Sequence, residues 1–472
     1  MKGSTLLFAI TSLFCFSSSA LAQTNPGQAT TYLIKQDTTN QDSFFNAEVV
    51  VTKGLNGSIE RVYAAPEATA LGTKGRLTRV TAFEVGLTQN TSSTAAPFPS
   101  FNEMAPGIGS SGYAMAVVDP AASVSRIGVG SHLLNRVDIN EAWKVGNTGA
   151  GGNFWGSSSA CTHQITDAGV NLKVTTTAGY GIAQDFGKQG TTIYSFTGVD
   201  NGEALANSSL CPTGNNCTKG GAVVIRNMGN GLTCSNPVVK TILNPNPNDF
   251  NAKFGKHILV DDFDFDGNLD LVASAENAVN GAGLVYLFLD VLATGPAANV
   301  PDDTLHGWDF TALTPQAPTS PRVISNEVFG TALTKLVRPS DGLALIGVGA
   351  PGEDSNKGAG YIFSVENWTD PQNFPRKARP RNKIVSGYAG ARNGTSISLG
   401  YYGSVPGSEE VDVVLGSPSQ SSGVVANFVV ADKTGPGLFR YRDISNFAIR
   451  FLAHYGNSTI LPGQGIGKFL TT

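Results

Sequence analysis

Charge is scarce in this chain. Asp, Glu, Lys and Arg together make up 14% of 472 residues, and 32 basic side chains stand against 36 acidic ones. So mild a balance excludes an electrostatic nucleic-acid binder or a basic membrane-surface protein. Long helical stretches rich in Glu, Lys and Leu are missing, which argues against a helical fold. Beyond the first residues there is no apolar run long enough to cross a bilayer. Catalytic signatures are also lacking: there is no His-Glu-x-x-His and no Gly-x-Ser-x-Gly elbow. The five histidines, His132, His163, His257, His306 and His454, sit in no metal-ligand or nucleophile spacing. His257 and His454 fall in strand starts, where packing is the default role. His132, after Gly130-Ser131, stands outside such a strand start.

What is present begins with a leader. Lys2, an apolar run from Leu6 to Phe16, and Ala20-Leu21-Ala22 form a secretory signal, expected over residues 1–22 with cleavage before Gln23. Its removal leaves 31 basic residues against 36 acidic ones, and the sequence predicts a secreted or periplasmic protein without a membrane span. Four cysteines remain: Cys161, Cys211, Cys217 and Cys234. An even count in an exported chain predicts disulfides, and three pairings are open. The short spacing of Cys211 and Cys217 reads as a small closed loop, which would leave Cys161 with Cys234. Zinc is the alternative, disfavoured by spacing and export. The 56 glycines and abundant Ser, Thr and Asn suit an all-β, loop-rich protein.

The densest charge lies at Asp262-Phe-Asp264-Phe-Asp266-Gly267-Asn268-Leu-Asp270. Carboxylates at positions one, three, five and nine, with glycine at six, form a cluster whose members repel unless a hard cation sits between them. The flanks His257–Val260 and Leu271–Ala275 are short, apolar and β-branched, so the loop is expected to join two strands. An EF-hand needs a bidentate Glu at position twelve and helical flanks. Ala273 stands there instead, between strand-like flanks. An acidic solvated turn is the plainer reading, and the register of four aspartates with the glycine weighs against it.

The chain also repeats. An aromatic- or Asn-Gly start, a short strand, a second strand ending in small residues and a Gly-x-Gly strand recur. The clearest copies are Phe254-Gly255 to Phe288, Phe329-Gly330 through Gly349-Ala350-Pro351 to Phe363, and Asn393-Gly394 through Gly416-Ser417-Pro418 to Phe428. Weaker starts lie at Phe45, Tyr113 and Tyr180, and a last one at Tyr455, giving seven starts spaced by 62 to 75 residues. Such an array predicts one domain over 23–472: a seven-bladed β-propeller of four-stranded antiparallel blades, closed by N- and C-terminal strands. Residues 30–35 are the candidate N-terminal strand. A tandem of two-sheet sandwiches is the competing architecture.

The order Phe-Gly, Asp-x-Asp-x-Asp-Gly-x-x-Asp, Gly-Ala-Pro and Gly-x-Gly-x-Ile-Phe resembles the FG-GAP repeats of the integrin α-subunit type of β-propeller. The resemblance covers most of the chain after the leader. The blade at 254–290 keeps the cation loop but has Ser274-Ala-Glu276 in place of Gly-Ala-Pro. The blade at 329–363 has a shortened loop at Pro339-Ser-Asp341-Gly342, and residues 404–412 keep Asp412 but place Pro406 and Ser408 at would-be ligand positions. The resemblance therefore implies one Ca²⁺ site, held by side chains of Asp262, Asp264, Asp266 and Asp270 and by the backbone carbonyl of Asn268. It implies a structural ion, on the face opposite the ligand. Ligand loops would then be 352–357, the insertion 197–219 and the connection 141–178, which carries Trp143, Trp155, Cys161 and His163. The sequence predicts a monomeric, non-catalytic adhesion module that binds an extracellular protein or glycan through these loops. The alternative is a secreted polysaccharide lyase or hydrolase on the same scaffold, which a cluster of His132 or His163 with Tyr and Arg at the central axis would favour.

Overall fold

The computed structural model describes residues 48–53, 59–65, 78–81 and 114–117 and parts of 126–141. It covers most of 161–400, then 411–417 and strands between 424 and 455. The leader, Trp143, Trp155, Cys217, Cys234, the 401–410 loop and residues 456–472 lie outside the described residues.

Antiparallel meanders follow one another along the chain. Strands β1 (Glu48–Lys53), β2 (Ile59–Ala65) and β3 (Thr78–Thr81) form a three-stranded sheet. Next come β4 (Ala114–Val117), β5 (Arg126–Ser131), β6 (Arg136–Glu141) and β7 (Cys161–Gln164), in that order across a four-stranded sheet. The third sheet holds β8 (Tyr180–Gln189), β9 (Thr192–Val199), β10 (Ala222–Asn227) and β11 (Val238–Leu243). The fourth holds β12 (Phe254–Asp261), β13 (Asp270–Ala275), β14 (Leu284–Phe288) and β15 (Asp303–Leu305). A hairpin of β16 (Gly307–Phe310) and β17 (Pro318–Arg322) leads to the fifth sheet, β18 (Ala332–Arg338), β19 (Leu343–Ala350), β20 (Ala359–Thr369) and β21 (Pro375–Val385). In the last sheet β22 (Ser396–Gly400) and β23 (Asp412–Ser417) pair. A small hairpin of β24 (Val424–Ala426) and β25 (Val429–Ala431) intervenes before β26 (Gly437–Ile444) and β27 (Ala448–Tyr455) complete it. No described helix is long and apolar enough to cross a membrane.

The protein is thus all-β, built of successive four-stranded antiparallel sheets. Six of the seven predicted starts open, or closely precede, the first strand of a sheet, whereas Tyr455 ends β27. The first strand of each sheet lies against that of the next: β1 on β4, β4 on β8, β8 on β12, β12 on β18 and β18 on β22.

Inner and outer strands of the described sheets differ in burial. Strand β13 is buried throughout, because its alternate side chains serve two cores. Leu271 and Ala273 join Ile225, Phe254 and Phe288 on one side, while Val272 joins Val348, Tyr361 and Phe363 on the other. A strand covered on both faces has no solvent side to make polar, which is why Leu271-Val-Ala reads as a continuous apolar run. The outer strand β21 alternates buried and half-buried residues instead.

The repeated motifs have a packing cause. Phe254 meets Tyr286 and Phe288 edge-on, with ring centroids at 5.8 and 6.2 Å. Phe329 repeats this against Tyr361 and Phe363 at 5.4 and 6.1 Å. The glycines of the second strands sit where backbone crosses backbone. A Cβ on Gly130, Gly198 or Gly349 would lie 1.9, 1.9 and 2.0 Å from the carbonyl oxygens of Gly181, Gly255 and Gly394, the start glycines of the following sheets. In β13 that position is Ser274, whose Oγ accepts the His257 amide at 3.0 Å.

A candidate cation loop and two buried charge clusters

The aspartate loop joins β12 to β13 across the Asp261–Asp270 pair, as its flanks predict. Its backbone reverses through Phe265 and Gly267, at φ +63° and +89°. Gly267 belongs in that left-handed region, while Phe265 is held there by the loop's own hydrogen bonds. Asp262 accepts the amides of Asp266 and Gly267 at 3.1 and 2.9 Å. Asp266 accepts Asn268 N at 2.8 Å and its Nδ2 at 2.9 Å. Asp270, fully buried, accepts Phe263 N at 2.7 Å and Asp290 N at 2.9 Å.

This folding brings three of the five expected ligands together: carboxylate oxygens of Asp262, Asp264 and Asp270 lie within 4.8 Å of one another. Asp266 is turned onto Asn268, whose Oδ1 accepts Gln189 Nε2 of the preceding sheet at 2.7 Å. Burial pushes the Asp270 carboxyl up to about 7, with Asp264 and Asp262 adding to the rise against the two amides that oppose it. Asp264 is raised by burial and by Asp266. The hydrogen bond from the Asn268 amide holds Asp266 low. Among the described residues no Lys or Arg pairs with the three carboxylates. The nearby Lys335 is engaged by Asp261 at 3.0 Å, by Asp185 at 3.6 Å and by the Val260 carbonyl. An all-oxygen donor set with unbalanced negative charge fits a hard divalent cation, whose charge would reverse the repulsion.

Three contributors escaped the sequence reading. Gln189 and Lys335 come from other sheets, so no local pattern points to them. Asp290 left a signal: an acid directly after the apolar strand β14 and Leu289. It sits at φ +53° with its amide on Asp270.

The opposite ends of the strands carry a different arrangement. In the 352–357 turn Asp354 is exposed and pairs with Lys357 at 2.6 Å. Glu353, assigned to the same ligand loop, is instead buried. It ion-pairs with Lys383, accepts Tyr361 Oη at 2.6 Å and lies 3.5 Å from Arg322. Arg322 also donates twice to Glu327, at 2.8 and 2.6 Å. Burial raises Glu327, opposed by Arg322, and burial with Glu353 beside it lifts the Tyr361 phenol well above its usual range. This cluster fastens the β16–β17 hairpin to the fifth sheet.

His163 lies near enough to Arg226 to feel its charge, and Arg226 in turn bonds a tyrosine. His163 is buried in the outer strand β7. Arg226 donates to Tyr180 Oη at 3.2 Å and pairs with Asp167 at 3.1 Å. Burial, reinforced by Arg226, lowers His163 to about 4, so the imidazole is neutral near pH 7. All three side chains are closed off within the core between the second and third sheets, where Tyr180 packs with Val137 and Val224. His132 is half-buried and lies near enough to Asp200 to lower its carboxyl.

No protein-family model matches the chain, and no curated protein does. Among solved structures, the intramolecular trans-sialidase from Ruminococcus gnavus, in complex with oseltamivir carboxylate, aligns over 79% of this chain and 90% of its own. The identity is 9% and the TM-score 0.31. At that level of likeness neither fold nor activity transfers.

Proposed function

We propose that this chain is a secreted, non-catalytic β-propeller of the FG-GAP type that holds one structural Ca²⁺ and binds an extracellular protein or glycan. The observation that carries the reading is the convergence of Asp262, Asp264 and Asp270 in a strand-joining loop with no paired base among the described residues. Carboxylate oxygens without a nitrogen or sulfur donor favour Ca²⁺ or Mg²⁺ over zinc, and a loop of nine residues suits the larger, more tolerant ion. Asp266 and the Asn268 carbonyl complete the ligand set in this reading, and the ion staples β12 to β13 rather than touching substrate.

Seven blades and a closed ring belong to the same proposal. The chain of first-strand contacts from β1 to β22 supports it, as do the glycine crossings between sheets. Residues 30–35 and 456–472 are its candidate closing strands. The pairing of Cys211 with Cys217 and of Cys161 with Cys234 belongs to the proposal too, supported by the burial of Cys161 and Cys211. The ligand face is then the side of the 201–211, 277–281 and 352–357 turns, which present exposed Leu205, Val279 and Asp354.

Thermal unfolding in Ca²⁺ and in chelator tests the ion: the reading predicts a higher midpoint with Ca²⁺, lost in Asp264→Ala. Identical curves would remove the structural Ca²⁺. An array of glycans and matrix proteins, assayed alongside for released unsaturated sugars, tests the binding role. Sugar release by the chain would replace it with the lyase reading.

A further inference from the structure

Asp200, Asn201 and Lys253 form a three-way contact between the third and fourth sheets. Asp200 and Asn201 directly follow β9, and Lys253 directly precedes β12. The Lys253 Nζ lies 2.5 Å from Asn201 Oδ1. Asn201 Nδ2 donates to Asp200 Oδ1 at 3.1 Å. The other Asp200 oxygen, Oδ2, lies 3.4 Å from Lys253 Nζ. One carboxylate thus touches both a primary amine and a side-chain amide nitrogen, while the amine lies against the same amide's carbonyl.

We propose that this triad forms an intramolecular isopeptide bond between Lys253 and Asn201, with Asp200 as the proton carrier. Lys253 passes one ammonium proton to Asp200, and the amine so formed attacks the Asn201 Cγ, making the Nζ–Cγ bond. Asp200 delivers that proton to Nδ2 and takes a second from Nζ. The Cγ–Nδ2 bond then breaks and ammonia leaves. Amine and primary amide become secondary amide and ammonia, so atoms balance and no oxidant or other reactant is required. Placement within hydrogen-bond reach is what such a proton transfer needs, and holding both reactants in one fold replaces a bimolecular encounter.

The surroundings fit. Asp200 is buried, its Oδ1 so close over Gly179 that a Cβ there would lie 2.1 Å away. Burial raises its carboxyl, against the lowering charges of Lys253, Lys256 and His132, so it can hold the proton in transit. Lys256 is itself paired with Glu276. Lys253 sits at φ +62°, in the left-handed turn that begins the fourth sheet. The corresponding turns lack the chemistry. Glu276-Asn277 follows β13 just as Asp200-Asn201 follows β9, but Val328 holds the position of Lys253 before Phe329. After β19 the Asn position is Gly352. Only the 200–253 junction, among the described sheets, unites acid, amide and amine. The link would join two consecutive sheets covalently without cysteine.

Proteolytic digestion of the folded chain followed by mass spectrometry tests this. The expected result is a branched product in which the peptide bearing Asn201 is joined to that bearing Lys253, lighter than their sum by one ammonia. Lys253→Arg and Asn201→Ala should abolish it. Asp200→Ala, which keeps both reacting groups, should leave the two peptides unlinked. Separate peptides of full mass from the folded parent would overturn the proposal whatever the variants do. An equal yield of linked product in Asp200→Ala would overturn the role of Asp200.

Discussion

The fourth and fifth sheets share one meander and opposite treatments of charge. The fourth gathers carboxylates at the β12–β13 turn, where three converge with no paired base among the described residues. The fifth has a short turn there, 339–342, and gathers its charge at the other end, where Glu353 is matched by Lys383 and Arg322. One sheet leaves its carboxylates without a paired base among the described residues, and the other carries its own. A repeat fold can thus hold geometry constant while one turn gathers carboxylates and another forms an internal ion-pair lock.

The sharpest way to break this comparison is to remove the internal partner. Glu353→Ala removes a buried carboxylate from the half-buried Lys383 and Arg322 and should destabilise the chain by about 3–5 kcal/mol, read from denaturant unfolding. A loss below about 1 kcal/mol would show that Glu353 is not the lock. Acidification comes next. The folded pKa of His163, about 4, lies below the ordinary histidine value of 6.5. The unfolded chain therefore binds more protons between those values, and stability falls as pH drops from 6.5 toward 4. The size is on the order of 3 kcal/mol. In His163→Gln that component of the pH dependence should disappear.

Adding Ca²⁺ at about a hundred times its dissociation constant should contribute about 2.7 kcal/mol by mass action, and nothing in Asp264→Ala. The smallest effect is expected at Asp354→Asn. It removes an exposed pair with Lys357, and exposed pairs are worth about 0–1 kcal/mol. A large loss there would erase the distinction between the buried lock and the solvated turn residue beside it.

Much of this was legible in the residues. The strand–loop–strand identity of 257–275 followed from apolar flanks and from the absence of a twelfth-position Glu, and the meander starts followed from recurring aromatic-Gly pairs. What stayed hidden was long-range. Glu353 and Asp354 are adjacent and equally polar on paper. Only the packing of Tyr361, Lys383 and Arg322 around the first makes it a core residue. Gln189 and Lys335 reach the aspartate loop from other sheets, and no local pattern encodes a contact across some 70–80 residues of chain. A grouping of His132 or His163 with a Tyr and an Arg was the sign set for catalysis, with no particular Tyr or Arg singled out. Only the fold shows that His163 is buried on an outer strand, beside Arg226.

Calorimetric titration of the metal-stripped chain with Ca²⁺ tests the central claim most directly. One ion bound per chain, with binding abolished by Asp264→Ala and untouched by Asp354→Asn, is the result predicted. No binding by the parent, or binding that survives Asp264→Ala, would contradict it.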